Sequence, residues 1–252
     1  MGFFFLLFSF LSLSVFAHEI QSLSQYIHIR KQNDIGRQQE LIAKMNINRK
    51  FDFGLQATYL ERFSFFEKRG GVSVSYRPNH KWNVDIRYLH GVGNKILPQH
   101  QSILSTYYSL SKGLTPFFIF RDSKYSTTDL NTLNAGIEIE LIPHMIFIPM
   151  LMGGKATFTS LSKTQDVHNY GMRAIYSLEQ KFAFSLFGFK GKEASQGVIG
   201  QSTFLIETLS GGASMAYFFI PKMRTELIFD HTDYKEIKTQ FYTTTLNLTW
   251  IF

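Results

Sequence analysis

From Tyr242 to Phe252 the chain alternates with period two. Tyr242, Thr244, Leu246, Leu248, Trp250 and Phe252 fall on one parity, Thr243, Thr245, Asn247 and Thr249 on the other, and only Ile251 is out of step. Strict alternation predicts a strand with one apolar face. The pattern recurs upstream: Trp82, Val84, Ile86 and Tyr88 alternate with Asn83, Asp85 and Arg87, and Ala135, Ile137, Ile139 and Leu141 with Asn134, Gly136, Glu138 and Glu140. Tight connections carry turn chemistry, as at Arg77-Pro78-Asn79-His80, Lys112-Gly113-Leu114-Thr115, Ile142-Pro143-His144, Leu178-Glu179-Gln180 and Ile220-Pro221-Lys222. Longer polar connections, Gly91–Gln101, Thr157–Asp166, Lys190–Thr203 and Asp230–Thr239, separate other segments. Counting both kinds predicts fourteen strands, at 22–31, 41–50, 53–62, 71–78, 81–90, 102–111, 115–124, 132–142, 144–153, 169–179, 181–190, 211–220, 222–231 and 241–252. If 22–31 and 41–50 do not form, the count is twelve. The predicted fold is an all-β, antiparallel, up-and-down transmembrane barrel with an even strand number.

Alternation alone does not say which face is inside, because a soluble barrel buries its apolar face and a membrane barrel exposes it. Size decides. Eight strands fill their interior with side chains, whereas a wider barrel encloses space that its inner face must share with water. The polar parity is therefore expected to line a lumen: Lys44, Asn46, Asn48, Gln56, Thr58, Asp85, Arg87, Arg121, Glu138, Glu140, Arg173, Lys181, Arg224, Glu226 and Asp230. In the opposite register, Arg87 alone would cost ~2–4 kcal/mol at the lipid midplane. Both signs are present, so the set reads equally as charge rings along a water path or as cross-strand ion pairs that close it. Met145–Met152 is apolar on both faces, and Phe117 and Ile119 share the face of Arg121. Aromatic residues near strand ends, among them Tyr76, Trp82, Tyr88, Phe182, Tyr217 and Trp250, suit interfacial belts.

The remaining composition adds compartment. Residues 2–16 are apolar apart from three serines and lead into Val15-Phe16-Ala17, although no Lys or Arg precedes the run. The run is shorter than the ~20 residues that a spanning helix needs. Residues 1–17 are thus expected to be a cleavable signal peptide and 18–252 one barrel domain. The chain has no cysteine, and its net charge of +7 is spread in mixed-sign clusters, unlike the concentrated basic surface of a nucleic-acid binder. The terminal strand, through Tyr242, Leu246, Leu248, Trp250 and Phe252, resembles the sorting signal of bacterial outer-membrane barrels. That resemblance implies the outer membrane as location, with barrel-assembly machinery, membrane lipid and lipopolysaccharide as partners.

A more specific likeness runs through the middle of the chain. Leu97-Pro98 lead into a strand; Ser111-Lys112-Gly113-Leu114, Phe120-Arg121-Asp122-Ser123-Lys124-Tyr125 and Ala135-Gly136-Ile137-Glu138 follow, with Gly211-Gly212 later. This order resembles the YaiO-type outer-membrane barrels over residues 37–252, departing from them at Ile139-Glu140. The resemblance implies a barrel found beside surface-polysaccharide machinery. Its matched positions are Arg121, Tyr125, Gly136 and Glu138.

Chemistry for catalysis is thin. His90, His168 and His231 sit near outer strand ends, and in Asp230-His231-Thr232-Asp233 the residues His231 and Asp233 share a face as an acid–base pair could. No zincin or EF-hand motif occurs, and Gly188-Phe189-Lys190-Gly191-Lys192 lacks phosphate-loop spacing. No metal or cofactor is expected. The chain reads as a porin-like passive channel or conduit for a small solute or a polysaccharide; the alternatives are a plugged surface-interaction barrel and a lipid-modifying rim enzyme.

Overall fold

Period-two alternation becomes fourteen strands in the computed structural model: β1 (Glu19–Ile29), β2 (Asp34–Asn48), β3 (Phe51–Arg62), β4 (Phe65–Tyr76), β5 (Trp82–His90), β6 (His100–Tyr108), β7 (Leu114–Lys124), β8 (Thr128–Ile142), β9 (Met145–Phe158), β10 (Lys163–Leu178), β11 (Phe182–Ser195), β12 (Phe204–Ile220), β13 (Met223–Tyr234) and β14 (Thr239–Ile251). Each pairs antiparallel with its sequence neighbours, and β1 pairs with β14 from Glu19↔Ile251 to Ile29↔Phe241. Closure removes every sheet edge, so all ladder groups are satisfied within the wall, as a lipid environment demands. The structure describes residues 18–30, 34–62, 65–159, 162–178, 181–195, 204–220, 222–235 and 238–252. The expected signal peptide at 1–17, and parts of five expected connections (160–161, 179–180, 196–203, 221 and 236–237), lie outside the described residues.

The strand count is fourteen, so twelve is set aside. The expected long connections are corrected. Thr157–Asp166 and Asp230–Thr239 are mostly strand, leaving links of only a few residues after Phe158 and Tyr234. β2, β4, β10 and β12 likewise begin several residues before the pattern predicts. The cause is a phase inversion. At this end of the barrel the outward residues turn polar (Lys68, Lys124, Asp129, Lys155, Asp166, Glu207). The inward ones turn apolar, and Ile27, Ile29, Leu60, Ala156, Phe158 and Val167 are buried. The hydrogen-bond ladder continues unchanged while the hydrophobic signal reverses sign, so a reading by face stops too early.

At the opposite rim, which also holds His18 and Phe252, the turns are tight. Asn48 Oδ1 accepts the amides of Lys50 and Phe51, and Asn79 Oδ1 those of Lys81 and Trp82, both turns built by an asparagine side chain. Register shifts at Asn46/Asn48, Glu140/Ile142 and Phe218/Ile220 all fall beside these turns, where a bulge ends pairing at no cost to the membrane span. Cross-strand ring pairs Phe51–Tyr76, Trp82–Tyr108 and Phe182–Tyr217, with centroids 4.6, 4.6 and 4.8 Å apart, form an aromatic girdle there. Between the rims the outward face exposes Ile86, Leu104, Phe118, Leu151, Leu186 and Phe229, a belt suited to hydrocarbon.

Candidate functional site

Contacts that leap over intervening strands define the inner face, since only the concave side allows them. Arg173 of β10 reaches Glu226 of β13 at 3.6 Å, Arg62 of β3 lies 4.7 Å from the ring centroid of Phe241 in β14, and Arg69 of β4 donates to Gln101 of β6 at 3.1 Å. The pairing register carries this parity around the wall. It places Lys44, Gln56, Asp85, Arg87, Arg121, Glu138, Glu140, Arg173, Arg224 and Glu226 on that one face.

These ten do not form one cluster. Lys44 is paired with Glu19 of β1 at 2.7 Å. Glu226 is the hub of a second group: Arg224 at 2.8 Å, Arg173 at 3.6 Å and the Ser214 hydroxyl at 2.9 Å converge on its buried carboxylate. Ser185 extends this network, bonding Ser214 at 2.8 Å and accepting from Arg173 at 3.1 Å. Asp85 accepts the Ser75 hydroxyl at 2.7 Å and meets Arg87 only at 3.9 Å. Gln56 is buried in the β3 wall, while Glu138 and Glu140 make no ion pair among the described residues, Glu140 lying exposed at the turn-side rim.

A third group was not legible as a group. The charges of Arg87 and Arg121 both act on Arg69, with Glu40 as the acidic counterweight to it. Arg69 also donates to Thr58 Oγ1 at 3.4 Å, and Arg121 makes no ion pair among the described residues. Beside them, just past the end of β7, burial raises the Tyr125 hydroxyl above its ordinary pKa, opposed by the charges of Arg121 and Arg69. One arc of the inner wall, β4 to β7, therefore gathers three guanidiniums, with Glu40 acting on Arg69 and Asp85 3.9 Å from Arg87. Across β7 to β12 the inner face also carries an apolar patch. Phe117 lies over Gly136 and Phe187 over Gly212, so close that a Cβ on either glycine would meet the ring at 2.4 or 2.5 Å. The glycines let both rings lie flat on the wall. Met150, Met152 and Phe189 line a cavity of about 200 Å³ there, with Asn134, Asn169 and Ser210 supplying polar tips.

Above the arginine arc, the Gly91–Gln99 connection folds inward. The Glu67 carboxylate, on the inner face of β4, accepts the consecutive amides of Lys95, Ile96 and Leu97 at 2.6, 2.8 and 2.6 Å. Asn94 is buried and donates to the Lys68 carbonyl at 3.2 Å, and the Lys95 ammonium stands 4.8 Å over the Phe65 ring. Three amides aimed at one carboxylate form an anion nest closed by the protein's own side chain.

No protein-family model and no curated protein matches the sequence. Solved structures match over nearly the whole chain. The "CymD monoaromatic hydrocarbon channel" aligns with a TM-score of 0.58 at 11% identity, covering 95% of this chain and 90% of that one. The "Bacterial polysaccharide outer membrane secretin" aligns at 0.58 and 11%, covering 93% and 98%. Omp33 of Acinetobacter baumannii, an outer-membrane protein, aligns at 0.55 and 13%, covering 94% and 98%. The fold is that of the outer-membrane barrels. Identities this low carry the fold and no more, and the YaiO-type likeness rests on its motif residues, of which Arg121, Tyr125 and Glu138 face or flank the inner arcs and Gly136 seats Phe117.

The expected rim histidines do not come together. His168 lies on the outward face opposite Lys192 and Gly153. His231 packs its ring against Tyr242 at 4.8 Å with Nε2 buried and unbonded; Asp233, its expected partner, shares the outward face with it, and Asp230 lies on the other face, opposite Thr243. His90 instead finds a partner in His100, which the pattern places in the Gly91–Gln101 connection. Glu67 and Arg69 escaped for a similar reason: they fall between the expected strands 53–62 and 71–78, where the pattern assigns no register. Carrying the parity of Ser73 and Ser75 backward would have put Glu67, Arg69 and Gly71 on one inner face.

Proposed function

We propose that the chain is an outer-membrane conduit for small organic anions. The observation that carries this reading is the Arg69–Arg87–Arg121 group, three guanidiniums gathered on the inner wall, of which Arg121 makes no ion pair among the described residues. A carboxylate or phosphate passing this arc would exchange water for guanidinium forks. The Phe117, Met150 and Phe187 arc offers the rest of an amphipathic solute a hydrocarbon wall. The inward loop held by Glu67 would narrow the entry above the arginines. On this reading lipopolysaccharide surrounds the charged outer collar and the terminal strand addresses the chain to barrel-assembly machinery. A surface polysaccharide remains the second reading of the solute, supported by the YaiO-type residues; an acidic polysaccharide would use the same arginines.

Planar-bilayer recording under a potassium chloride gradient tests the proposal. The wild-type barrel is expected to give discrete conductance with a reversal potential favouring chloride. Arg69→Glu with Arg121→Glu should shift selectivity toward potassium, by roughly fivefold per charge at ~1 kcal/mol each. Block by benzoate but not by acidic oligosaccharide would favour the small solute; the converse would favour the polysaccharide. No conductance beyond the bare bilayer would overturn the conduit.

A further inference from the structure

The outward face at the loop-side rim carries a group that the conduit does not use. His90, the last residue of β5, and His100, the first of β6, are directly opposed in the ladder that the Gly91–Gln99 loop closes. Their Nδ1 atoms lie 3.2 Å apart, and the Tyr88 hydroxyl lies 2.9 Å from the same His100 nitrogen. The rings are exposed and stand 4.6 Å apart by centroid. Hydrogen bonding accounts poorly for this convergence. A neutral imidazole nitrogen offers either one proton or one lone pair in the ring plane, so His100 Nδ1 can serve His90 or Tyr88 but not both. A cation between them would use all three.

The spacing fits such a cation. Imidazole bonds to Zn²⁺ of ~2.0–2.1 Å meeting at near-tetrahedral angles put two ligating nitrogens about 3.2–3.4 Å apart. We infer that His90 and His100, with Tyr88 as a weaker oxygen ligand, form a surface site for a divalent transition ion of the zinc, copper or nickel class. Imidazole pairs suit these ions and discriminate against calcium and magnesium, which need oxygen ligands. Water completes the coordination, because among the described residues no third His, Cys, Asp or Glu joins the pair. Lys124 of β7 faces His100 across the ladder and weakens the site by its charge. The ion would staple β5 to β6 at the root of the inward loop, a location distinct from the arginine arc and independent of whether solutes pass.

The test uses the full chain folded in detergent, with folding checked by heat-modifiable electrophoretic mobility, and Zn²⁺ titrated against a chromogenic chelator. The wild type is expected to bind one equivalent saturably. His90→Ala and His100→Ala should each weaken this binding at least tenfold, Tyr88→Phe less, and His168→Ala not at all. The conservative His100→Gln keeps the surface polar and should lose binding as His100→Ala does. With Cu²⁺ as the probe, the two-imidazole nitrogen hyperfine pattern should reduce to a one-imidazole pattern in either histidine variant. Absence of saturable Zn²⁺ binding, or binding unchanged in both histidine variants, would overturn the site.

Discussion

Glu67 is a buried carboxylate whose charge is answered by three backbone amides (2.6, 2.8 and 2.6 Å) and, among the described residues, by no ion pair. Charge-assisted bonds of this kind are worth ~1.5–3 kcal/mol each, and a carboxamide keeps only one of the two acceptor oxygens. Glu67→Gln is therefore expected to speed hydrogen exchange of the 95–97 amides by about tenfold or more, read by mass spectrometry. Glu61→Gln, on the outward face of β3, is expected to leave them unchanged. Glu226 works differently, because it joins two arginines on strands three apart. Glu226→Gln leaves both guanidiniums facing a neutral group. Their partial exposure moderates the cost to roughly 1–3 kcal/mol, below that of a fully buried pair. The expected result is a lowered unfolding midpoint in urea. Parity in the sequence put Glu226, Arg173 and Arg224 on one face. It did not say that residues of β10 and β13 would touch, since that depends on how far the wall curves.

At the scale of the element, a strand here changes solvent along its length. Leu186 of β11 is one of the most exposed apolar residues, at 67%, and lies in the hydrocarbon belt. Leu186→Arg is expected to cost ~2–4 kcal/mol of folding free energy in lipid vesicles, measured by denaturant titration. Farther along the same outward row, Lys190 and Lys192 already carry charge, because the strand has left the hydrocarbon. That inversion explains why strand existence and parity were legible while the loop-side boundaries were not. The hydrophobic signal marks the span of lipid, whereas the strand is set by backbone pairing, which continues past it. His100 shows the consequence. Assigned to a polar connection, it had no register, and without register its contact with His90 could not be read.

At the scale of the molecule, the seam between β1 and β14 closes the wall, with Trp250 opposite Ile20 and Leu248 opposite Ser22 on the outward face. If Trp250 and Phe252 act as an address for assembly machinery, replacing both by Ala should lower the amount of heat-modifiable barrel in cells. The same variant folded in vitro should differ little in denaturant midpoint, since both side chains are largely exposed at the rim. An equal loss in both settings would assign them a packing role instead. The inner wall is divided by arc at this scale: guanidinium from β4 to β7, flat rings and methionines from β7 to β12, and a carboxylate hub at β13.

The sequence by itself determined the fold class and the parity of most spans, and left the strand number at fourteen or twelve, because alternation is a local property and lipid enforces it at every second residue. Only the tertiary structure decided which inward charges meet. Arg69, Arg87 and Arg121 belong to three strands, and Glu67 meets a loop residue 30 positions away, Leu97. Such encounters are fixed by closure, curvature and stagger of the whole wall, and no periodicity along the chain encodes them.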